Sequence, residues 1–270
     1  MPDLSAQLDQ LVDAVRKSAG YRSVCENLIR KIGARELAKQ RPLKEAIKAT
    51  RNTLHQASGA YRGSRIDYAA GLDELRKAAQ SADNVDWRAA CAQLMSHHAS
   101  TRERLSILDQ FYATTLADLG PIRTILDIAC GLNPLAIPWM PLERDAEYYA
   151  SDIDEGLIGF LNEFLRIAPY RGRAQVADAT QSCPTEAADV ALLLKSLPCL
   201  EQIDRSAGIR LLEGVNADHL LVSFPVRSLG GKSKGMVRHY EARFQELVAD
   251  KNWTVKRFEF WTELAFLVTR

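Results

Sequence analysis

The chain has no run of 18 or more apolar residues, so no segment reads as a membrane span. Its first residues, "MPDLSAQLDQ", lack the basic-then-apolar pattern of a secretory leader. Cysteine is sparse: Cys25, Cys91, Cys130, Cys183 and Cys199 are odd in number, scattered, and form no CxxC pair. That indicates neither a disulfide framework nor a zinc site, and the cytoplasm is the expected compartment. No internal repeat, low-complexity linker or association motif is evident, so a monomer is expected. Two nucleotide-binding patterns are also missing. A phosphate loop of the type GxxxxGK[ST] at "SLGGKSKG" would need glycine at Val226, which excludes a nucleotide triphosphatase. The dinucleotide pattern GxGxxG is represented only by Ala129, Gly131 and Pro134.

What is present is an ordinary globular composition, 47% hydrophobic and 26% charged, over 270 residues. That length buries a large core in one or two domains. The net charge of +1 hides an asymmetry. Residues 1–105 carry 18 Lys and Arg against 12 Asp and Glu; residues 106–270 carry 17 against 22. From Arg16 to Arg51 there are 11 basic residues and three acids, Glu26, Glu36 and Glu45. Such a run is either a solvated helical face or an electrostatic footprint for a polyanion, and charge alone does not choose.

The first 120 residues have helical periodicity. Leu8, Leu11, Val12 and Val15 share one face, with Ser5 expected as N-cap and Gly20 beyond the end. "ENLIRKIGARELAKQ" and "LKEAIKATRNTLHQA" continue the pattern. Further helices are expected over 67–80, 85–98 and 101–119. From Ile122 the pattern alternates. "RTILDIA", "AEYYASDID", "GRAQVADAT", "ADVALLLKSL", "DHLLVSFP", "TVKRFEF" and "LAFLVTR" are strand candidates. Helices are expected at "GLIGFLNEFLRIA", 199–214 and 235–250. Alternation of this kind predicts a parallel, doubly wound α/β sheet. Only "WTEL" separates the last two strands, which predicts an antiparallel hairpin at the sheet edge.

Ligands of open α/β sheets bind at the C-terminal ends of the strands. The first strand runs out at Ala129-Cys130-Gly131, where glycine permits close backbone approach. Asp152 closes the second strand, 21 residues after Gly131, a position suited to accepting hydrogen bonds from a ribose diol. Asp178 closes the third and suits an adenine amino group. A pyrophosphate needs free backbone donors, and Pro134 removes one, so the loop favours a nucleoside without pyrophosphate. S-adenosylmethionine is such a nucleoside. After the fifth strand, Arg227, Lys232, Lys234 and Arg238 occur with no acid between them, either as a surface loop or as a clamp on a phosphate backbone. His97 and His98 are adjacent and would point apart on a helix, so no metal pair is expected.

"TLHQASGAY", "HHASTRERL", "DIACGLNPLA", "SDID", "LLLKSLPCLE" and "SFPVRSLGGKSKGM" together resemble the 16S rRNA (guanine-1405, N7)-methyltransferases of aminoglycoside resistance. The resemblance covers nearly the whole chain; around Gln202-Ile203 the chain departs from it. It implies a seven-stranded class I, Rossmann-like methyltransferase domain over 106–270 and an all-helical rRNA-docking domain over 1–105. It implies S-adenosylmethionine held by Tyr61, His98, Ala99, Ser100, Arg104, Ala129, Gly131, Asp152, Asp178, Ala179 and Leu194. Arg104 would pair with the methionine carboxylate. Lys195 and Lys232 match positions linked to target binding, and the partner implied is 16S rRNA in the assembled 30S subunit.

No general base is expected, because guanine N7 carries a free lone pair at neutral pH. The (D/N)-P-P-(Y/F) signature of exocyclic-amine methyltransferases is absent. Pro198-Cys199 keeps a cytosine-C5 methyltransferase open as an alternative, beside a small-molecule methyltransferase and a non-enzymatic ribosome-binding protein.

Overall fold

The computed structural model describes residues 4–57, 66–81, 84–168, 170–227 and 235–270. The seven apolar runs are β1 (Ile122–Ile128), β2 (Leu142–Asp152), β3 (Arg171–Val176), β4 (Ala188–Leu194), β5 (Ala217–Pro225), β6 (Thr254–Glu259) and β7 (Glu263–Thr269). They form one sheet of order β3-β2-β1-β4-β5-β7-β6. The first five are parallel, β7 is antiparallel to β5, and β6 closes the edge antiparallel to β7. The terminal hairpin expected from "WTEL" is therefore present at the sheet edge.

Successive side chains of the inner strands face opposite ways, and the two faces have separate cores. Ile125, Val190, Leu192, Leu221 and Leu267 pack with Leu157, Phe160, Leu161 and Phe164 of α8 (Glu155–Ile167). On that face lie also α4 (Tyr68–Gln80), α5 (Asn84–Met95) and α7 (Leu108–Thr115), with Trp87 stacked on Phe164 at 5.7 Å. Leu126, Ala191, Leu193, Leu220, Val222 and Phe266 face α9 (Leu197–Ile203), α10 (Ala207–Gly214) and α11 (Met236–Val248).

A third cluster belongs to α1 (Leu4–Arg16), α2 (Glu26–Leu37) and α3 (Leu43–Ala57), joined by Ile203 of α9. The apolar clusters thus part earlier than the expected division at Leu105, since α4 and α5 contribute Leu75, Trp87, Cys91 and Leu94 to the core of the sheet. An antiparallel bridge between Val24 and Asp154 ties the α1–α2 connection to the end of β2. It is reinforced by Cys25 N–H to Ile153 O at 2.8 Å and Glu155 N–H to Ser23 O at 2.7 Å.

Three local expectations differ. Ser5 lies inside α1 rather than at its cap. The helix expected over 101–119 is α6 (Ala99–Arg104), a 3₁₀ turn at Leu105–Ile107, and α7, because Ile107 leaves helical geometry with ψ of 3°. The helix expected over 199–214 is broken where Asp204 accepts hydrogen bonds from Ser206 N–H and O–H at 3.0 and 2.8 Å.

Gly172 in β3 has φ of +134°, and a Cβ there would collide with the Tyr148 carbonyl of β2. Gly172→Ala is expected to destabilise the protein by about 3 kcal/mol or more, because both strain and lost β2–β3 pairing contribute. Urea unfolding of the variant against the parent checks it.

Candidate active site

The site begins where β1 and β4 end. Both adjacent strands turn through left-handed backbone: Ala129 has φ of +53°, Gly131 +52° and Lys195 +57°. For Ala129 and Lys195 that conformation costs of order 1 kcal/mol each, and such strain concentrates where a ligand needs the backbone turned toward it. The Gly131 N–H donates to Asp152 Oδ2 at 3.0 Å, and Asp154 N–H donates to Asp152 Oδ1 at 3.2 Å. The ring of His98 lies on Gly131, so a Cβ there would meet it at 3.1 Å. His98 is itself held by Ser100 Oγ at 2.9 Å from Nδ1.

These ends open into a cavity of about 610 Å³. Of the residues expected at the cofactor, His98, Ser100, Ala129, Gly131, Asp152, Asp178, Ala179 and Leu194 line it, and so does Lys195. Asp178 is fixed by Thr180 N–H at 2.8 Å, Thr180 O–H at 2.7 Å and Gln181 Nε2 at 2.8 Å. Tyr61, Lys232 and Lys234 lie outside the described residues. Arg227 and Arg238 are exposed and away from the cavity wall. The far wall was not legible in the sequence. It comes from Gly20, Arg22 and Ser23 of the α1–α2 connection, from Tyr68, and from Cys199 and Ile203 of α9. Cys199 drew notice only as the mark of a rival chemistry and Arg22 only as part of the basic run; nothing in the sequence joins them at one cavity, and the Val24–Asp154 bridge brings the connection there.

Ala99 and Arg104 are buried and do not line the cavity, and Arg104 departs from expectation. Its side chain is 1% exposed, and the carboxylate it grips is Glu263, with Nη2 to Oε1 at 2.6 Å and Nε to Oε2 at 3.0 Å. Nη1 donates to Asn133 Oδ1 at 2.8 Å, and the guanidinium lies 4.9 Å from the Phe111 ring centroid. The physical reason is the register of β7, which pairs Glu263 with Pro225 and delivers a carboxylate beside α6. Glu263 also accepts from Ser223 O–H at 2.5 Å and lies 3.3 Å from Lys195 Nζ, which reaches Glu103 at 2.8 Å. Burial would raise the Glu263 carboxyl, but Arg104 and Lys195 hold it below its ordinary range. The one hint of this in the sequence is a lone acid opening the apolar run "ELAFLV".

The network continues under β1. Asn133 Nδ2 donates to Asp127 Oδ2 at 2.9 Å, Tyr148 O–H to the same oxygen at 2.6 Å, and Tyr112 O–H to Asn133 Oδ1 at 2.6 Å. Burial pushes the Asp127 carboxyl up to about 6, against the hydrogen bonds from Tyr148 and Asn133.

The cavity fits S-adenosylmethionine. Its volume is in the range of small-molecule sites. The carboxylates of Asp152, Asp154 and Asp178 all border it, which suits a ribose diol and a cationic sulfonium and repels a pyrophosphate. Fold and site together define an S-adenosylmethionine-dependent methyltransferase of the class I, Rossmann-like kind.

The family model of the ribosomal RNA methyltransferase FmrO matches residues 17–267, and the chain belongs to that family. It is 38% identical to the 16S rRNA (guanine(1405)-N(7))-methyltransferase of Micromonospora echinospora, over 98% of this chain and 97% of that protein. It is 33% identical to the enzyme of that name from Serratia marcescens, over 97% and 98%. The crystal structure of the 16S rRNA methyltransferase RmtF in complex with S-adenosyl-L-homocysteine superposes with a TM-score of 0.81 at 32% identity, over 98% of both chains.

Two outcomes follow from this geometry. Asp152→Asn keeps an acceptor for Gly131 N–H but removes the charge facing the ribose, so calorimetry is expected to show S-adenosylmethionine bound about 10- to 100-fold more weakly. For Asp127, the folded value of about 6 lies above its ordinary 3.8. The folded state therefore holds the extra proton, and this group's contribution to stability falls as pH rises through that window. Asp127→Asn, which retains an acceptor oxygen, is expected to gain on the parent by on the order of 2 kcal/mol between pH 4 and pH 6.5, measured by urea unfolding at both. Glu263 titrates in the opposite sense and below its ordinary value, and it is common to both proteins.

Proposed function

We propose that this enzyme transfers a methyl group from S-adenosylmethionine to N7 of guanine 1405 of 16S rRNA within the assembled 30S subunit. The modification gives resistance to aminoglycosides of the kanamycin and gentamicin type. The name shared by relatives that match almost end to end carries the substrate assignment. A ribosomal target makes the cytoplasm the working compartment, and the enzyme acts as a monomer.

The bound cofactor supplies a methyl group on a sulfonium, already a good leaving group. Guanine N7 needs no proton removed, so the side chains of the site need only bind, orient and exclude water, and alignment supplies the rate. Asp152 and Asp178 hold the nucleoside from the ends of β2 and β3, while Gly131 lets the chain pass close to it. Lys195, 2% exposed at the end of β4, positions the target nucleotide indirectly, by fixing the cavity edge on which it rests. Its Nζ is steadied by Glu103, by Glu263, and by Ser100 O at 3.3 Å. N7 of a paired guanine lies in a deep groove of duplex RNA, so the target is displaced from its stack to reach the cavity.

Docking falls to the basic face within residues 1–105. Part of that surplus is consumed internally: Arg16 pairs with Glu155 at 3.0 Å, and Lys39, Arg41 and Arg35 surround the buried Glu36. Lys17, Lys44 and Lys48 form no ion pair among the described residues. Arg227, Lys232, Lys234 and Arg238 act on the phosphate backbone near the target.

Labelled methyl transfer to purified 30S subunits and to free 16S rRNA, mapped by borohydride and aniline cleavage, tests this. Cleavage at guanine 1405 on 30S but not on free RNA is the expected result. Absence of incorporation with S-adenosylmethionine still bound would overturn the substrate and favour a small-molecule acceptor.

A further inference from the structure

Trp261 is 72% exposed, in a chain whose large apolar side chains are otherwise mostly buried. It occupies the turn between β6 and β7. The turn is not loose: Phe260 N–H donates to Glu263 O at 2.8 Å, and Val226 N–H to Thr262 O at 3.3 Å. Phe260 packs on Phe111 with centroids 5.2 Å apart. The backbone on both sides is thus anchored while the indole stands in solvent. The guanidinium of Arg227 lies 4.7 Å from its ring centroid. A flat exposed ring on an anchored backbone, with a cation over one face and the other face open, is an arrangement with which proteins stack nucleobases.

Its place in the sheet ties it to the reaction. β7 pairs Glu263 with Pro225, the last residue of β5, so the β6–β7 turn overhangs the C-terminal edge of the sheet. At that same edge β4 delivers Lys195 to the cavity. β7 is two strands from β4 in the sheet order. At about 4.8 Å per strand the lateral offset is about 10 Å, too far for the base being methylated and suited to a neighbour on the same strand. Arg227, which follows β5 directly, supplies the charge for the intervening phosphate.

We propose that Trp261, backed by Arg227, is the stacking platform for a base flanking the methylated guanine. The proposal rests on the rRNA-methyltransferase reading. It is tested by steady-state methyl transfer with Trp261→Ala and Trp261→Phe, varying 30S and S-adenosylmethionine separately. For Trp261→Ala the KM for 30S is expected to rise roughly 10- to 100-fold. The KM for S-adenosylmethionine and the Tm are expected to stay at parental values. Trp261→Phe should restore most of the loss, because stacking accepts any aromatic face. An unchanged KM for 30S in Trp261→Ala, or an equal loss in Trp261→Phe, would overturn the platform. Ribose acylation of nucleotides flanking guanine 1405 on enzyme-bound 30S gives the second readout, expected to differ between parent and Trp261→Ala. Weakened binding with identical acylation would assign Trp261 to a ribosomal protein instead and overturn the RNA contact. A parent enzyme inactive on 30S would be a failure of the methyltransferase target, recognisable before any variant is made.

Discussion

The carboxylate of Glu263 is held in a fully buried position by Arg104, Ser223 and Lys195, and the active edge of the sheet is organised around it. An uncompensated charge there would be costly, so each partner depends on the others; deleting one member of such a buried pair costs about 3–5 kcal/mol. Arg104 comes from the helical half, Lys195 from β4, and Glu263 from the antiparallel β7. One ionic cluster therefore joins the helices before the sheet to the ends of three sheet elements. Through Asn133, the same cluster reaches Asp127 of β1 and Tyr148 of β2.

The N-terminal helices have a second attachment, and it defines the cofactor cavity. The Val24–Asp154 bridge places Ser23 against Asp154, whose Oδ2 accepts from Ser23 O–H at 3.0 Å. Lys31 of α2 donates to Thr180 O at 2.9 Å, just beyond Asp178. Arg35 donates to Ile203 O at 2.7 Å, at the end of α9. A sheet of this class leaves its ligand edge open on one side. Here three contacts from α2 and the turn before it roof that side, so the element that carries many of the basic residues also lines the cavity.

At the floor of the site, the chain accepts strain in exchange for approach. Gly131 is suited to a left-handed turn, but Ala129 and Lys195 are not, and both adopt it. Neighbouring strands end in the same way, and the surrounding hydrogen bonds, such as Cys130 N–H to Ser151 O at 3.0 Å and Lys195 N–H to Ser223 O at 3.0 Å, hold them there.

Much of this was written locally. Alternating apolar runs specified the strands, because a strand buried on both faces must be continuously apolar, and the short "WTEL" link allowed only a hairpin. Gly131, Asp152 and Asp178 were legible because each sits where a strand must stop, and strand ends of parallel sheets share one edge. The partner of Arg104 was not legible. Arg104 and Glu263 are 159 residues apart, and their meeting depends on β7 entering antiparallel beside β5 in one register. The far wall of the cavity was hidden for the same reason: Gly20, Arg22 and Ser23 carry no signature of a cofactor site, and a bridge from Val24 to Asp154, just past the end of β2, puts them there. The sequence by itself determined the class of fold, the strand ends and the kind of ligand, since periodicity and turn chemistry act over a few residues. Only the tertiary structure decided which charges neutralise one another, because burial and long-range register select the partners and neither is a local property.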